Sequence, residues 1–170
     1  FSAKRELKRY ASTKGHCTTP SADKCGSDQE ALVNGKINIA AGLWFLAGFM
    51  IYGFVLIYLR DFAPGKEQWI ADYAVGKHFE SRLAHVHGNL FALLNVLVGY
   101  LLLRLPVQGA SGRWISTLAL AGMLMPLGIL SEVLFGLPPL LVIVGGVSMV
   151  LAVAWLGFVV WGLKTGASIP

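Results

Sequence analysis

Charge is scarce in this chain. Asp, Glu, Lys and Arg together make up 14% of its 170 residues and only 9 residues are acidic, against 55% hydrophobic residues. That balance argues against a soluble domain, whose core must be covered by a charged surface, and for a small membrane protein with no room for a second domain. Cysteine is scarce too. Cys17 and Cys25 are the 2 thiols, with His16 beside the first. Their spacing matches no familiar zinc pattern, and one histidine does not complete a four-ligand site. They read as reduced thiols if their segment is cytoplasmic and as a local disulfide if it is outside. The basic start Lys4-Arg5-Glu6-Leu7-Lys8-Arg9 lacks the apolar run of a signal peptide and reads as a solvated tail. The net charge of +5 comes from residues in the tail and in loops beside apolar segments. Anionic lipid headgroups account for it better than nucleic acid.

What the chain has in quantity is apolar length. Ile37 to Leu59, Leu90 to Leu103, Trp114 to Leu137 and Leu140 to Leu163 are almost uncharged. About 20 such residues cross a bilayer as helix, a length the second run reaches only if it starts near Ser81. The expected fold is all-α: a polytopic four-transmembrane-helix bundle, residues 36–164, with a polar tail 1–35 before it and a short tail 165–170 after it. Trp69, Tyr73 and Phe79 interleave with Lys66, Glu67, Asp72 and Lys77, predicting a short interfacial helix over 68–79 between the first and second spans. Pro126 predicts a kink in the third span, and Pro138-Pro139 a tight hairpin into the fourth. Gly42, Gly48, Gly53, Gly145, Gly146 and Ser148 offer small surfaces for helix contact.

Four spans put both termini on one side, together with Lys4, Arg5, Lys8, Arg9, Lys14, Lys24, Lys36, Arg104, Arg113 and Lys164. Arg60, Lys66, Lys77 and Arg82 lie opposite. The excess predicts cytoplasmic termini, with a bacterial inner membrane as the expected setting.

Against this background Ser81-Arg82-Leu83-Ala84-His85-Val86-His87-Gly88-Asn89 stands out, since ionisable groups inside a membrane are costly and read first as functional. Alternate helices run in opposite directions, so His85 and His87, near the start of the second span, share a leaflet with Glu132, near the end of the third, and with Tyr52 on the first. At 100° per residue His85 and His87 point about 200° apart. His85 shares a face with Arg82 and Asn89, and with His78 if the helix extends backward, whereas His87 shares one with Leu83, Phe91 and Leu94, and Asn95 lies nearby. Glu132 reads either as a proton-handling group with Tyr52 or as a protonated packing residue, and either histidine as a ligand or as a hydrogen-bonded structural residue. The series Asp72, His78, His85 and His87 raises copper or zinc as an alternative. Met123 and Met125 read as helix filler.

A b-type haem needs an axial imidazole, a slot between apolar helices and interfacial cations for its propionates. His85 or His87 can supply the first, Phe91 and Leu94 with the third span the second, and Arg82 or Lys77 the third. Asn89 and Asn95 complete the candidate cofactor-binding set. The Cys-x-x-Cys-His attachment sequence of c-type haem is absent.

The Pro-Gly and Trp-containing segment after the first span, Ala84-His85-Val86-His87-Gly88 entering the second, and Leu134-Phe135-Gly136 closing the third resemble styrene oxide isomerase and the related hydroxylaminobenzene mutases over about residues 36–164. The resemblance implies a four-span fold, a helix-two histidine ligating b-type haem at a trimer interface, and ferric iron acting as a Lewis acid on an epoxide oxygen. Three functions follow as expectations. The first is a haem protein acting as a redox or gas-handling component or as a subunit of a larger membrane enzyme. The others are a haem-dependent isomerase using Glu132 or Tyr52 as acid-base group, and a cofactor-free structural or copper-binding subunit. A homo-oligomer in contact with membrane lipid is expected throughout.

Overall fold

The computed structural model describes residues 22–107 and 109–163. His16, Cys17 and the segment 165–170 lie outside the described residues. Every regular element described is helical: α1 (Ala22–Asp61), α2 (Lys66–Ala71), α3 (Gly76–Arg104), α4 (Ala110–Gly122), α5 (Leu124–Phe135) and α6 (Leu140–Gly162). Four stretches are long and apolar enough to cross a membrane: Val33–Asp61, Gly76–Arg104, Ala110–Phe135 and Leu140–Gly162. The chain is a four-span helical protein.

Three boundaries differ from the expected ones, each for a local reason. The first helix starts at Ala22 rather than near Lys36. Residues 22–35 have no apolar stripe, but once a helix is nucleated each further residue costs little, and Ala, Asp, Lys, Gln, Glu and Leu are mostly willing helix formers. The amphipathic stretch expected over 68–79 is divided. It yields the short α2, then a turn in which Asp72 N–H bonds the Gln68 carbonyl at 3.0 Å and Val75 N–H the Asp72 carbonyl at 3.1 Å. From Gly76, whose φ of 57° suits a residue without Cβ, the chain is already in α3. The third span breaks into α4 and α5 at Met123, three residues before Pro126. Proline has no N–H to give the carbonyl four residues back, and the ladder yields there.

Packing follows sequence neighbours. α1 lies antiparallel along α3, α6 packs on α4 and α5, and the broken third span also touches α1 and α3. The buried apolar cluster is Val98, Leu102, Val107, Ile115, Ala119, Ala152 and Leu156. It sits where the end of α3, the start of α4 and the end of α6 converge, the side to which both termini point. Just inside it is a polar knot: Asn38 Nδ2 donates to Asn95 Oδ1 at 3.0 Å and to the Ser116 carbonyl at 3.2 Å. Asn95 Nδ2 donates to the Ala119 and Phe91 carbonyls at 2.8 and 3.1 Å, and Ser116 Oγ donates to Asn38 Oδ1. Asn38 and Asn95 are both fully buried. Paired amides of this kind join helices where apolar side chains gain nothing by leaving lipid. This end of the bundle is closed, and the end holding His85 is grooved.

Candidate functional site

Two grooves flank α1. The first, about 620 Å³, is bounded by α1 and α3 and by residues of the connecting segment. Leu46, Met50, Gly53, Phe54, Leu56 and Ile57 line it from α1, and Arg60 and Tyr73 stand with them. From α3 come His78, Arg82, His85 and Asn89. These four lie at i, i+4, i+7 and i+11, so a single helical stripe faces the groove. The stripe is complete because α3 begins at Gly76, five residues before Ser81.

His85 is seated tightly. A Cβ built at Gly53 would stand 2.7 Å from its Cε1 and 3.3 Å from its Nε2, so the absence of a side chain at position 53 is what leaves room for the ring. One turn away Phe49 occupies the space over Gly88 in the same manner, locking α1 to α3 beside the site. The Tyr52 ring lies 6.3 Å from that of His85 between centroids. On the other side, Asn89 Nδ2 donates to the His85 carbonyl at 2.9 Å and lies 3.3 and 3.4 Å from the two ring nitrogens. Asn89 Oδ1 is buried and has no hydrogen-bond partner among the described residues.

Aromatic and cationic side chains organise the outer end of the groove. His78, 4% exposed, stacks on Trp69 at 4.1 Å, and its Nδ1 bonds the Trp69 carbonyl. The Arg82 guanidinium lies 3.6 Å over the Tyr73 ring and donates to the Tyr73 carbonyl at 3.1 Å. Arg60 bonds Asp61 through two guanidinium nitrogens, at 2.9 and 2.8 Å. The lining thus grades from apolar walls to two guanidiniums, of which Arg60 is paired with Asp61.

The expected site residues separate into groups. His85, Arg82 and Asn89 come together in this groove. His87 does not line it: its Nδ1 bonds the Leu83 carbonyl at 2.9 Å and its ring lies 6.2 Å from that of Phe91, on the other side of α3. Phe91, 8% exposed, is packed in the interior, and Asn95 belongs to the buried amide knot. Tyr52 touches the region from α1. Glu132 lines neither groove. Counting from the Asn95–Ala119 contact at 1.5 Å per residue, it is about level with Arg82. Among the described residues no three His, Cys, Asp or Glu side chains converge as a metal-holding group. The series Asp72, His78, His85 and His87 therefore supplies no multidentate copper or zinc site there. A haem iron needs only one imidazole from the protein, since the macrocycle supplies four nitrogens.

Sequence reading missed Gly53, Arg60 and Tyr73 as groove residues and Asn38 and Ser116 as partners of Asn95. Asn38 carried a visible signal, an amide among apolar residues. Gly53 was legible as a small surface for helix contact, but not as the residue that would face His85. No family model, curated protein or solved structure matches this chain.

Proposed function

We propose that this membrane protein binds b-type haem in the groove between α1 and α3, with His85 as axial ligand, and acts as a redox or gas-handling component or as a subunit of a larger membrane enzyme. The observation that carries the reading is the placement of His85 in a groove whose walls are apolar and whose outer end holds Arg60 and Arg82. An imidazole, an apolar slot and cations within reach of two propionates are what the group requires. Bound haem would supply one-electron or Lewis-acid chemistry. The residues of the chain would do the rest: Gly53 and Asn89 hold the His85 ring, Phe54 and Ile57 keep water from the slot, and Arg82, stacked on Tyr73, fixes the propionate edge. The similarity of Ala84-His85-Val86-His87-Gly88 to the helix-two motif of styrene oxide isomerase supports the same reading. Cytoplasmic termini and a homo-oligomer, a trimer if that likeness holds, belong to the proposal.

Visible spectroscopy tests it. Protein purified in mild detergent from haem-replete cells is expected to show a Soret band, and a reduced alpha band after dithionite. His85→Ala is expected to abolish both bands, and His87→Ala to keep them. Colourless wild-type protein, or bands that survive in His85→Ala, would overturn the assignment.

A further inference from the structure

A second groove, of about 550 Å³, runs on the other side of α1 against α5. Trp44, Phe45, Phe49 and Tyr52 line it from α1 and Leu127 and Leu130 from α5; no charged residue is among its lining. Its α1 wall extends from Ala41 to Tyr52, roughly 16 Å at 1.5 Å per residue, so the groove is long for its volume. It opens sideways within the apolar span, with Trp44 81% exposed. Over Gly48, midway along, a built Cβ meets nothing within 4 Å. Among the described residues the Tyr52 hydroxyl, at one end of the groove, has no hydrogen-bond partner. At such depth a phenol without a partner is costly, because lipid tails offer none.

We propose that this groove is a binding site for a single-chain neutral lipid bearing one terminal oxygen, of the long-chain alcohol class, which enters from the bilayer. The hydrocarbon chain lies along Phe45 and Phe49, and its oxygen accepts a hydrogen bond from Tyr52. The elongated apolar trough selects a chain over a compact molecule. The unmatched hydroxyl selects an oxygen at its end, and the absence of any cation in the lining selects a neutral head over a carboxylate. The site is separate from the haem groove and does not rest on that reading.

The test is photolabelling of the full chain in detergent with a diazirine-tagged hexadecanol and, in parallel, a diazirine-tagged hexadecane without the hydroxyl. Hexadecanol label is expected on groove residues of α1 and α5 and should be competed by unlabelled hexadecanol, whether or not the protein carries haem. Gly48→Phe fills the open space and should remove the groove label; Gly48→Leu serves if the larger side chain disturbs folding. Tyr52→Phe should weaken hexadecanol retention about three- to tenfold, the worth of one hydrogen bond, and leave hexadecane unchanged. Label spread evenly over the lipid-facing helices, label that unlabelled hexadecanol does not compete, or equal loss of both probes in Tyr52→Phe would overturn the proposal.

Discussion

A methyl group added at Gly53 would stand 2.7 Å from Cε1 of His85, closer than two non-bonded carbons approach, so either the imidazole or α1 must shift. Overpacking of this sort costs about 1–3 kcal/mol. On the haem proposal, Gly53→Ala is therefore expected to reduce haem content and to move the Soret maximum of what remains. Gly48→Ala, with open space above it, should change stability by no more than about 0.5 kcal/mol and leave the spectrum alone. Equal spectra for the two variants would show that His85 is not held by α1. At this scale the sequence was informative about one helix at a time. Helical periodicity was enough to put Arg82, His85 and Asn89 on one stripe and His87 on another, and the earlier start of α3 adds His78 to the first. It could not say which helix the stripe would meet, because that depends on how α1 is rotated, and α1 is apolar on nearly every side. That Gly53 would face His85, and that Arg60 would join the groove, stayed invisible for that reason.

Among the elements, the joint between α1, α3 and α4 combines the apolar cluster with buried amides. Asn95→Ala strips the Asn38 side chain of a buried partner and leaves the Ala119 carbonyl without that donor, which should cost about 1–3 kcal/mol in an unfolding titration with dodecyl sulfate. A double-mutant cycle pairing Asn38→Ala with Asn95→Ala should give a coupling of about 0.6 kcal/mol, the average for hydrogen bonds between membrane helices. Strict additivity would mean that the two amides merely coexist. Three of the four spans were legible from apolar length and the break in the third from Pro126. The start of α3 was not, because Lys77, His78 and Glu80 dilute the apolar signal where the helix leaves the membrane core. The expected slot between the second and third spans was displaced as well: Phe91 is consumed by packing, and the groove beside His85 opens toward α1 instead.

For the whole molecule, the distribution of Lys and Arg makes a prediction that the fold alone cannot. With Cys17 and Cys25 replaced by Ser, a cysteine introduced at Lys66 should react with an impermeant maleimide added to intact cells, and one at Ser111 only after lysis. The opposite pattern would invert the topology and place the outer end of the His85 groove toward the cytoplasm.

The pairing of neighbours in sequence, α1 with α3 and the broken third span with α6, also bears on how the protein is made. Each half of the chain is a helical hairpin that can close as soon as its second arm leaves the ribosome, without waiting for distant residues. The halves then dock through the apolar seam in which Val98 and Leu102 meet Ile115, Ala119, Ala152 and Leu156, and through the amide contacts of Asn38 with Ser116 and Asn95 with Ala119. A chain cut at Gly109 should therefore reassemble when residues 1–108 and 109–170 are expressed as separate polypeptides, and the two should copurify. Asn95→Ala in the first fragment should weaken that copurification while leaving each hairpin inserted. The amide knot would then act as a pin in the apolar seam, fixing how two independently inserted pieces meet.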